Sequence, residues 1–366
     1  MKNVLERMEE NNTKFKVATF IAKQKESYEF KVRYAEKTAW EFYENPEVSG
    51  QCYVAVGGLD SITLLLFLRS IGIDIPAISV SCLEDKSIQA IHRRIGVQAL
   101  KPIKSKIEVI WEFGFPVLSK EIAGKISLLQ NPSEKNKTVR HAIMTGETGE
   151  YGGFQKNSRM KMSQKWLEKF GGYENENEGV NYGKPDFLVS DKCCYYLKEK
   201  PCNDYARESG RFPYMGLMAS EGGRRQKALM MHGCNYISKG TKRSCPFAIF
   251  SRQDLLQLAL DLNVPVPEIY GEIVRDSDGT LRTTKAQRTG CSMCGFGIHM
   301  EKRPHRFDLL YQTNPKEWDM WMNRVIQRED GSWYGWGHIL DYIGVEWQNP
   351  EIYEDDFQVS LEEVLQ

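Results

Sequence analysis

Two groups of residues in this sequence have types and spacing suited to chemistry, and the first is a pair of adjacent glycines. Gly57 and Gly58 follow the apolar stretch Cys52–Val56 and precede an apolar run with helical spacing that continues to Arg69. Because glycine lacks a Cβ atom, the amides of such a turn can close on an anion, and the helix dipole adds to the attraction. The pattern predicts a phosphate site where a strand meets a helix, although an ordinary strand-to-helix connection can have the same pattern.

The second group is a set of closely spaced cysteines. Cys193 and Cys194 are adjacent, and Cys291 and Cys294 form a CxxC sequence next to a glycine on each side. A CxxC turn aims both sulfurs at one point, and four thiolates of this kind suit zinc or a [4Fe-4S] cluster. The structural alternatives are a zinc knuckle and reduced core thiols, and four thiols alone do not select the metal.

A parallel sheet is the element that would position these groups. Ile75–Ser81 is a short apolar run at the spacing that a right-handed β-α-β crossover requires. Strand ends at this edge of a parallel sheet line a ligand crevice. Glu84 and Asp85 follow the second strand and are therefore candidate hydrogen-bond acceptors or magnesium ligands, with solvated loop acids as the alternative.

Turn and capping residues predict where other helices begin and end. Gly114 and Pro116 are expected to stop one helix, and Ser119 is placed to cap the next one. Ser251 and Asp254 predict a further helix start with a short capping box.

The stretch 131–183 is polar and rich in glycine. A solvated amphipathic helix is the ordinary interpretation, and a mobile lid or a nucleic-acid contact is the alternative. The cations and aromatic residues concerned are Lys156, Arg159, Lys161, Lys165, Trp166 and Phe170.

Composition bounds the class of protein. The chain has 366 residues, with 49 Lys+Arg and 49 Asp+Glu, so no overall field attracts nucleic acid or a membrane. No apolar run approaches a membrane span and the N-terminus lacks the apolar centre of a signal peptide, so we expect a cytoplasmic protein without membrane contact. Nine cysteines in such a chain favour metal or redox chemistry, while the isolated Cys52 and Cys82 are predicted to be buried.

The sequence from Gly57 to Ser61, GGLDS, resembles the pyrophosphate loop (PP-loop, SGGxDS) of the ATP pyrophosphatase superfamily, with Val56 in place of the leading serine. The resemblance implies that this loop holds the phosphates of ATP with Mg²⁺, and that Asp60 and Ser61 are catalytic. The implied nucleotide-binding residues are Val56, Gly57, Gly58, Leu59, Asp60 and Ser61.

The cysteines extend the resemblance to the phosphoadenosine phosphosulfate (PAPS) reductase family over about residues 50–310. The adjacent pair and the RTGCxxCxFGxH sequence from Arg288 to His299 resemble the motif of [4Fe-4S] adenosine phosphosulfate reductases. By this resemblance a cluster is expected, with zinc as the alternative and Cys234 as a possible replacement for Cys193. The implied ligands are Cys193, Cys194, Cys291 and Cys294.

Arg224 and Arg225 follow a glycine turn that resembles arginine-containing segments of the same family. Paired arginines can grip phosphate or sulfate bidentately, so both are predicted to be catalytic. Surface salt bridges are the alternative.

The fold implied is α/β, with a parallel twisted sheet of the adenine nucleotide alpha-hydrolase (PP-loop) type and helices on both faces, plus a Cys-rich segment and a helical C-terminal cap. The predicted divisions are an N-terminal helical region at 1–47, a PAPS reductase-like domain at 48–310 and an aromatic-rich helical region at 311–366.

Two chemistries fit this family. The reductases carry a cysteine near the C-terminus, and this sequence has no cysteine after Cys294, which favours the other branch. That branch forms AMP and pyrophosphate and transfers sulfur, as do the sulfurtransferase of DNA phosphorothioation systems and tRNA thiolases, to which the chain looks similar in motifs. The partners implied are an adenine nucleotide, a DNA or RNA acceptor, and a cysteine desulfurase or a DNA-binding companion. A reductase of PAPS or a related sulfonucleotide and a non-catalytic nucleotide-sensing subunit are the alternatives.

Overall fold

A computed structural model describes residues 4–148, 158–175, 180–291 and 293–350, without the side chains of residues 4–13, 174–175, 180 and 224. Lys156, part of the polar stretch 131–183, and the C-terminal residues 351–366 lie outside the described residues. The chain divides into two compact units. Unit 1 consists of Met1–Ile103 and Lys198–Ser292, and unit 2 of Lys104–Leu197 and Met293–Gln366.

Helices make up most of the regular structure, and none of those described is long and apolar enough to cross a bilayer. The helices are α1 (Val4–Gln24), α2 (Tyr28–Tyr43), α3 (Leu59–Ser70), α4 (Lys86–Arg94), α5 (Lys106–Phe113), α6 (Lys120–Gln130), α7 (Lys137–Thr145), α8 (Gln164–Phe170), α9 (Lys192–Cys194), α10 (Lys200–Ser209), α11 (Gly223–His232), α12 (Arg252–Asp261), α13 (Arg306–Thr313), α14 (Pro315–Asn323) and α15 (Trp336–Ile343).

The strands are short, between two and four residues each. They are β1 (Cys52–Ala55), β2 (Ala77–Ser79), β3 (Gln98–Ala99), β4 (Val117–Leu118), β5 (Glu174–Asn175), β6 (Val180–Asn181), β7 (Phe212–Tyr214), β8 (Asn235–Ile237), β9 (Lys242–Ser244), β10 (Ile273–Arg275), β11 (Leu281–Thr283), β12 (Gly295–Phe296), β13 (Ile326–Gln327) and β14 (Trp333–Tyr334).

Unit 1 is built on a six-stranded sheet with the order β3-β2-β1-β7-β9-β8. All neighbours run parallel except β8, which is antiparallel to β9. In the central strand, Val54 pairs with Ala77 on one side and with Tyr214 on the other. Strand β2 therefore lies on one side of β1, and β7, which comes later in the chain, lies on the other. In parallel sheets ligands bind at such a switch in strand order, outside the carboxyl ends of the strands. The predicted α/β class with a parallel sheet is confirmed.

Helix α3 packs on this sheet because its sequence is apolar on nearly all sides. Leu59, Ile62, Leu65 and Leu68 are at most 1% exposed and belong to the core that the strands and helices of unit 1 share. A helix that is apolar all round is stable only when it is buried. The N-terminus of α3, directly after the glycine turn, is therefore fixed by the core of the sheet.

Unit 2 contains an aromatic core. Phe115 packs edge-on against Trp336 with ring centroids 5.1 Å apart, and Phe187 packs against both Phe115 and Phe170. A Cβ atom on Gly295 would lie 2.2 Å from the Trp336 ring, so only glycine fits at this position of β12. Packing against Trp336 thus explains why glycine follows the second cysteine of the CxxC sequence, whatever role it has at a metal site.

The expected helix boundaries are observed. Helix α5 ends at Phe113, and Gly114 follows it with a φ of 102°. Ser119 accepts a hydrogen bond from the amide of Ile122, and Ser251 and Asp254 form a capping box at α12. The two serines are reliable signals because each satisfies an amide that the helix leaves unbonded at its start.

Candidate functional site

The glycine turn lies at the carboxyl end of β1 and closes on the hydroxyl of Ser61. The amide of Gly57 donates to Ser61 Oγ at 2.7 Å, and Ser61 Oγ donates to the carbonyl of Gly58 at 3.0 Å. Gly58 is the N-cap of α3 and supplies no capping side chain. The positive end of the α3 dipole therefore lies beside a rigid turn, which is an arrangement that attracts anions. Val56 and Leu59 flank the turn and are buried in the core.

His92, from α4, fixes the turn from the side of β2. Its Nε2 lies 2.8 Å from the carbonyl of Gly57 and its Nδ1 lies 2.9 Å from Ser81 Oγ. A carbonyl only accepts, so Nε2 carries the proton and Nδ1 accepts from Ser81. Burial lowers the pKa of His92, which favours this neutral form.

Tyr270 covers the turn on another side. Its hydroxyl accepts a hydrogen bond from the amide of Leu59 at 3.2 Å and lies 2.7 Å from Thr289 Oγ1. A Cβ atom on Gly58 would lie only 2.3 Å from this hydroxyl. Tyr270 is 4% exposed, and burial raises its pKa. The neutral hydroxyl of Tyr270, which also belongs to unit 1, thus occupies the space that a side chain at Gly58 would need.

Asp60, in the first turn of α3, is paired with Arg252 at the start of α12. Arg252 Nη1 lies 2.5 Å from Asp60 Oδ1, and both side chains are 29% exposed. Burial raises the pKa of Asp60, and Arg252 opposes that rise. Close to this pair the chain after β7 approaches the helix: a Cβ atom on Gly216 would lie 3.1 Å from the carbonyl carbon and oxygen of Asp60. The carboxylate of Asp60 is therefore held by a cation, and its backbone is tightly packed.

Glu221 forms a second carboxylate cluster with two arginines. Arg288 donates to Glu221 Oε1 at 2.7 Å, and Arg225 pairs with Glu221 Oε2. The charges of Glu221 and Arg288 both act on Asp60, so the two clusters belong to one electrostatic site. Arg225 is half exposed and engaged in an ion pair, while the side chain of Arg224 lies outside the described residues.

Of the two loop acids after β2, Glu84 faces the turn and Asp85 does not. Asp85 caps α4 by accepting from the amide of Ser87 at 2.8 Å. Glu84 Oε1 would lie 3.7 Å from a Cβ atom on Gly57 and bonds Lys198 Nζ at 2.6 Å.

Lys198 connects this acid to one of the predicted metal ligands. Burial works to lower its pKa, but the charges of Cys291 and Glu84, and its hydrogen bonds to both, raise it. Cys291 therefore lies next to a cation within unit 1.

The predicted ligand cysteines are divided between the units. Cys193, Cys194 and Cys294 belong to unit 2, while Cys291 belongs to unit 1. Cys194 and Cys294 are close enough to interact electrostatically, and burial is the main cause of the raised pKa of Cys294. Among the residues that the structure describes, no group of three or more His, Cys, Asp or Glu side chains could hold a metal ion.

Three other cysteine positions can be assigned. Cys234, the alternative ligand, is 7% exposed in the core of unit 1, where burial raises its pKa to about 11. Cys52 is buried as expected. The prediction that Cys82 is buried is wrong: it is exposed, because it lies in a 3₁₀ turn, Ser81–Leu83, that follows the strand.

Several residues of this site were not among the predicted site residues. Tyr270, His92, Arg252, Arg288 and Lys198 reach it from parts of the chain outside the glycine turn. Signals existed for Arg252, which directly follows the predicted helix cap Ser251, and for Arg288, which begins the RTGCxxC sequence.

Together these features define unit 1 as a parallel α/β domain with a polar site around a glycine turn at the end of its central strand. No protein-family model matches the chain, and no curated protein sequence matches it. Among solved structures, the chain is similar to the crystal structure of phosphoadenylyl-sulfate (PAPS) reductase from Candida auris in a phosphate complex. The two share 12% identity over 67% of this chain and 89% of that chain, with a TM-score of 0.35.

Proposed function

We propose that unit 1 binds the phosphate groups of an adenine nucleotide at Val56–Ser61 and cleaves ATP to AMP and pyrophosphate. The observation that carries the proposal is the glycine turn at the switch in strand order, whose N-cap residue Gly58 has no side chain and which lies beside an electrostatic cluster of arginines and carboxylates. Positioning and charge neutralisation are the main requirements of reactions at phosphorus.

The arginines would act by exchanging partners. In the structure Arg252 is paired with Asp60, and Arg225 and Arg288 are paired with Glu221. Phosphate oxygens accept bidentate, charge-assisted hydrogen bonds from arginine and would compete with these carboxylates. Asp60, released from Arg252, would then be available to Mg²⁺, which prefers carboxylates together with substrate phosphates.

The finer proposal is sulfur transfer to nucleic acid, of the DNA phosphorothioation or thiolation kind, in the cytoplasm. An oxygen of the DNA or RNA acceptor would attack the α-phosphate of ATP, pyrophosphate would leave, and a sulfur nucleophile would then displace AMP. The support is the resemblance of the GGLDS sequence and the cysteine motif. A cysteine desulfurase or a DNA-binding companion would supply the sulfur or the target.

A [4Fe-4S] cluster, or zinc, at Cys193, Cys194, Cys291 and Cys294 stays a prediction from the motif. Cys194 and Cys294 interact within unit 2, but no three potential ligands gather among the side chains that the structure describes. The proposed reaction therefore includes no step at a cluster. Iron and acid-labile sulfide, quantified after anaerobic purification of the full chain and of Cys294→Ser, decide the prediction, with Cys82→Ser as the control because Cys82 is exposed and is not a predicted ligand.

A reductase of PAPS or a related sulfonucleotide is the second candidate. The observation that favours it is the contact of Cys291 with Lys198, whose other partner, Glu84, faces the glycine turn. A thiol beside a cation and near a phosphate site is the arrangement that a nucleophilic cysteine requires. Thioredoxin-dependent release of sulfite from PAPS, lost in Cys291→Ser, would support this candidate over ATP cleavage.

The test of the main proposal measures binding and turnover separately. Calorimetry with ATP and Mg²⁺ is expected to show one site, weakened about tenfold or more in Arg288→Ala. Arg282→Ala is the matched control, because Arg282 pairs with Asp276 of the β10–β11 hairpin instead. AMP and pyrophosphate are then quantified with candidate DNA or RNA and a sulfur donor. Absence of ATP binding would refute the proposal, and binding without cleavage would leave the nucleotide-sensing subunit.

A further inference from the structure

The hydroxyl of Tyr270 occupies the place on the glycine turn that a phosphate oxygen would need. The amide of Leu59 is the first of α3, and such first-turn amides have no partner within the helix and commonly bind anions. In this chain that amide donates to Tyr270 Oη at 3.2 Å. The space over Gly58 is also filled, because a Cβ atom there would lie 2.3 Å from Tyr270 Oη and 3.2 Å from Thr289 Oγ1.

The Tyr270 side chain is held in place on both sides. Thr289 Oγ1 lies 2.7 Å from the hydroxyl, and the residue is only 4% exposed in the core of unit 1. The backbone carbonyl of Tyr270 also accepts from the amide of Lys285 at 3.1 Å. The contact with Leu59 is therefore a built feature of the fold and not a chance position of a surface side chain.

An anion and a neutral hydroxyl differ as acceptors. A hydrogen bond to a charged phosphate oxygen is shorter and about twice as strong as one to a neutral acceptor. Since Leu59 has one amide proton, phosphate and Tyr270 compete for it. Without a ligand the Tyr270 hydroxyl accepts the hydrogen bond of this amide. The hydroxyl moves away only when binding of the anion releases more free energy than the loss of its bonds to Leu59 and Thr289 costs.

We propose that Tyr270 and Thr289 form a hydroxyl latch over the glycine turn, which the phosphate group of a nucleotide or of pyrophosphate must displace in order to bind. The inference rests on the proposed phosphate site and adds its regulation: the latch sets the threshold of affinity and admits only strongly charged phosphates. Its loss is expected to open the site rather than damage it.

The experiment measures pyrophosphate and ATP binding by calorimetry on the full chain and on Tyr270→Phe, with Thr289→Val as a second variant. Removal of the Tyr270 hydroxyl is expected to tighten binding of both ligands about fivefold or more, because the phosphate no longer has to break two hydrogen bonds. Thr289→Val removes one of them and is expected to give a smaller gain. Tyr28→Phe is the matched control, since its hydroxyl bonds Asp261 at 2.5 Å and no residue of the turn.

Amide hydrogen exchange at Leu59 provides a readout that does not depend on affinity. The amide should be protected without ligand in the natural chain, exposed in Tyr270→Phe, and protected again when pyrophosphate is added. Unchanged or weaker binding in Tyr270→Phe, with a folded protein and a natural chain that binds, would overturn the latch alone. If neither protein binds pyrophosphate or ATP, the proposed function is refuted and the latch with it.

Discussion

The two adjacent glycines of the turn are predicted to respond very differently to the same substitution. A Cβ atom on Gly57 would meet only Glu84 Oε1 at 3.7 Å and Ser61 Oγ at 3.9 Å, which are ordinary contacts. A Cβ atom on Gly58 would lie 2.3 Å from Tyr270 Oη, about 1 Å closer than van der Waals contact permits. Gly57→Ala is therefore the natural control for Gly58→Ala.

The cost at Gly58 follows from these contacts. Overpacking of this size costs ~1–3 kcal/mol. Moving Tyr270 also breaks its bonds to the Leu59 amide and to Thr289, at ~1 kcal/mol for each. We expect Gly58→Ala to lower the free energy of unfolding by about 3–5 kcal/mol. Gly57→Ala should change it by less than about 0.5 kcal/mol.

The second half of the prediction is a rescue. Without the hydroxyl, the ring atom nearest to a Cβ atom on Gly58 would be Cζ at 3.5 Å, so Tyr270→Phe removes the worst of the clash, leaving Thr289 Oγ1 at 3.2 Å. In urea denaturation of the two single variants and the double variant, we expect a favourable coupling of at least ~1 kcal/mol. Equal losses for Gly57→Ala and Gly58→Ala, or strict additivity of Gly58→Ala with Tyr270→Phe, would refute the geometry of the turn.

Three further predictions concern the surroundings of the turn. Gly216→Ala should cost about 1–3 kcal/mol in urea denaturation because its Cβ would press on the Asp60 backbone at 3.1 Å, whereas Gly240→Ala, with open space, should be neutral; equal effects would contradict this. Neutral His92 stabilises the fold fully at a pH above its unfolded pKa of about 6.5. This stabilisation is lost as the pH falls from there through its lower folded pKa, by up to ~1.4 kcal/mol per pH unit. His92→Gln should flatten that acid-side loss in unfolding measured from about pH 7.5 to pH 5, and an unchanged slope would exclude the buried neutral form. Arg252→Ala should weaken ATP binding about tenfold by calorimetry while costing under about 1 kcal/mol of stability, because its ion pair is partly exposed; unchanged affinity would exclude Arg252 from the site.

The strand, glycine turn and helix could be predicted from sequence because all the signals are local. The apolar run that ends at Val56, the two glycines and the helical spacing after them lie within one short stretch. The second strand was predicted as Ile75–Ser81 and is observed as Ala77–Ser79, since Ser81 begins a 3₁₀ turn. Its position was predictable, and its exact ends depended on pairing with β1.

The contacts that shape the site could not be predicted, because they join residues far apart in the chain. Tyr270 reaches Leu59 from a 3₁₀ turn, and Arg252 reaches Asp60 from α12, with nothing in the local sequence of either to indicate the partner. Arg225 was predicted to bind phosphate, with a surface salt bridge as the alternative, and is observed in an ion pair with Glu221, four residues earlier in the chain. The predicted divisions at 1–47, 48–310 and 311–366 and the four-cysteine site stay predictions.

The pairing of the central strand has a consequence for how the protein is made. Cys52 of β1 pairs with Phe212 of β7, whereas its other neighbour, β2, follows soon after in the chain. During synthesis β1 and β2 therefore emerge early, and one side of β1 waits with unsatisfied backbone groups until β7 leaves the ribosome. Long-range strand pairing of this kind slows folding and leaves an unpaired strand edge that can aggregate. We expect a nascent chain that stalls before Phe212 to require chaperone protection, and a fragment truncated there to aggregate.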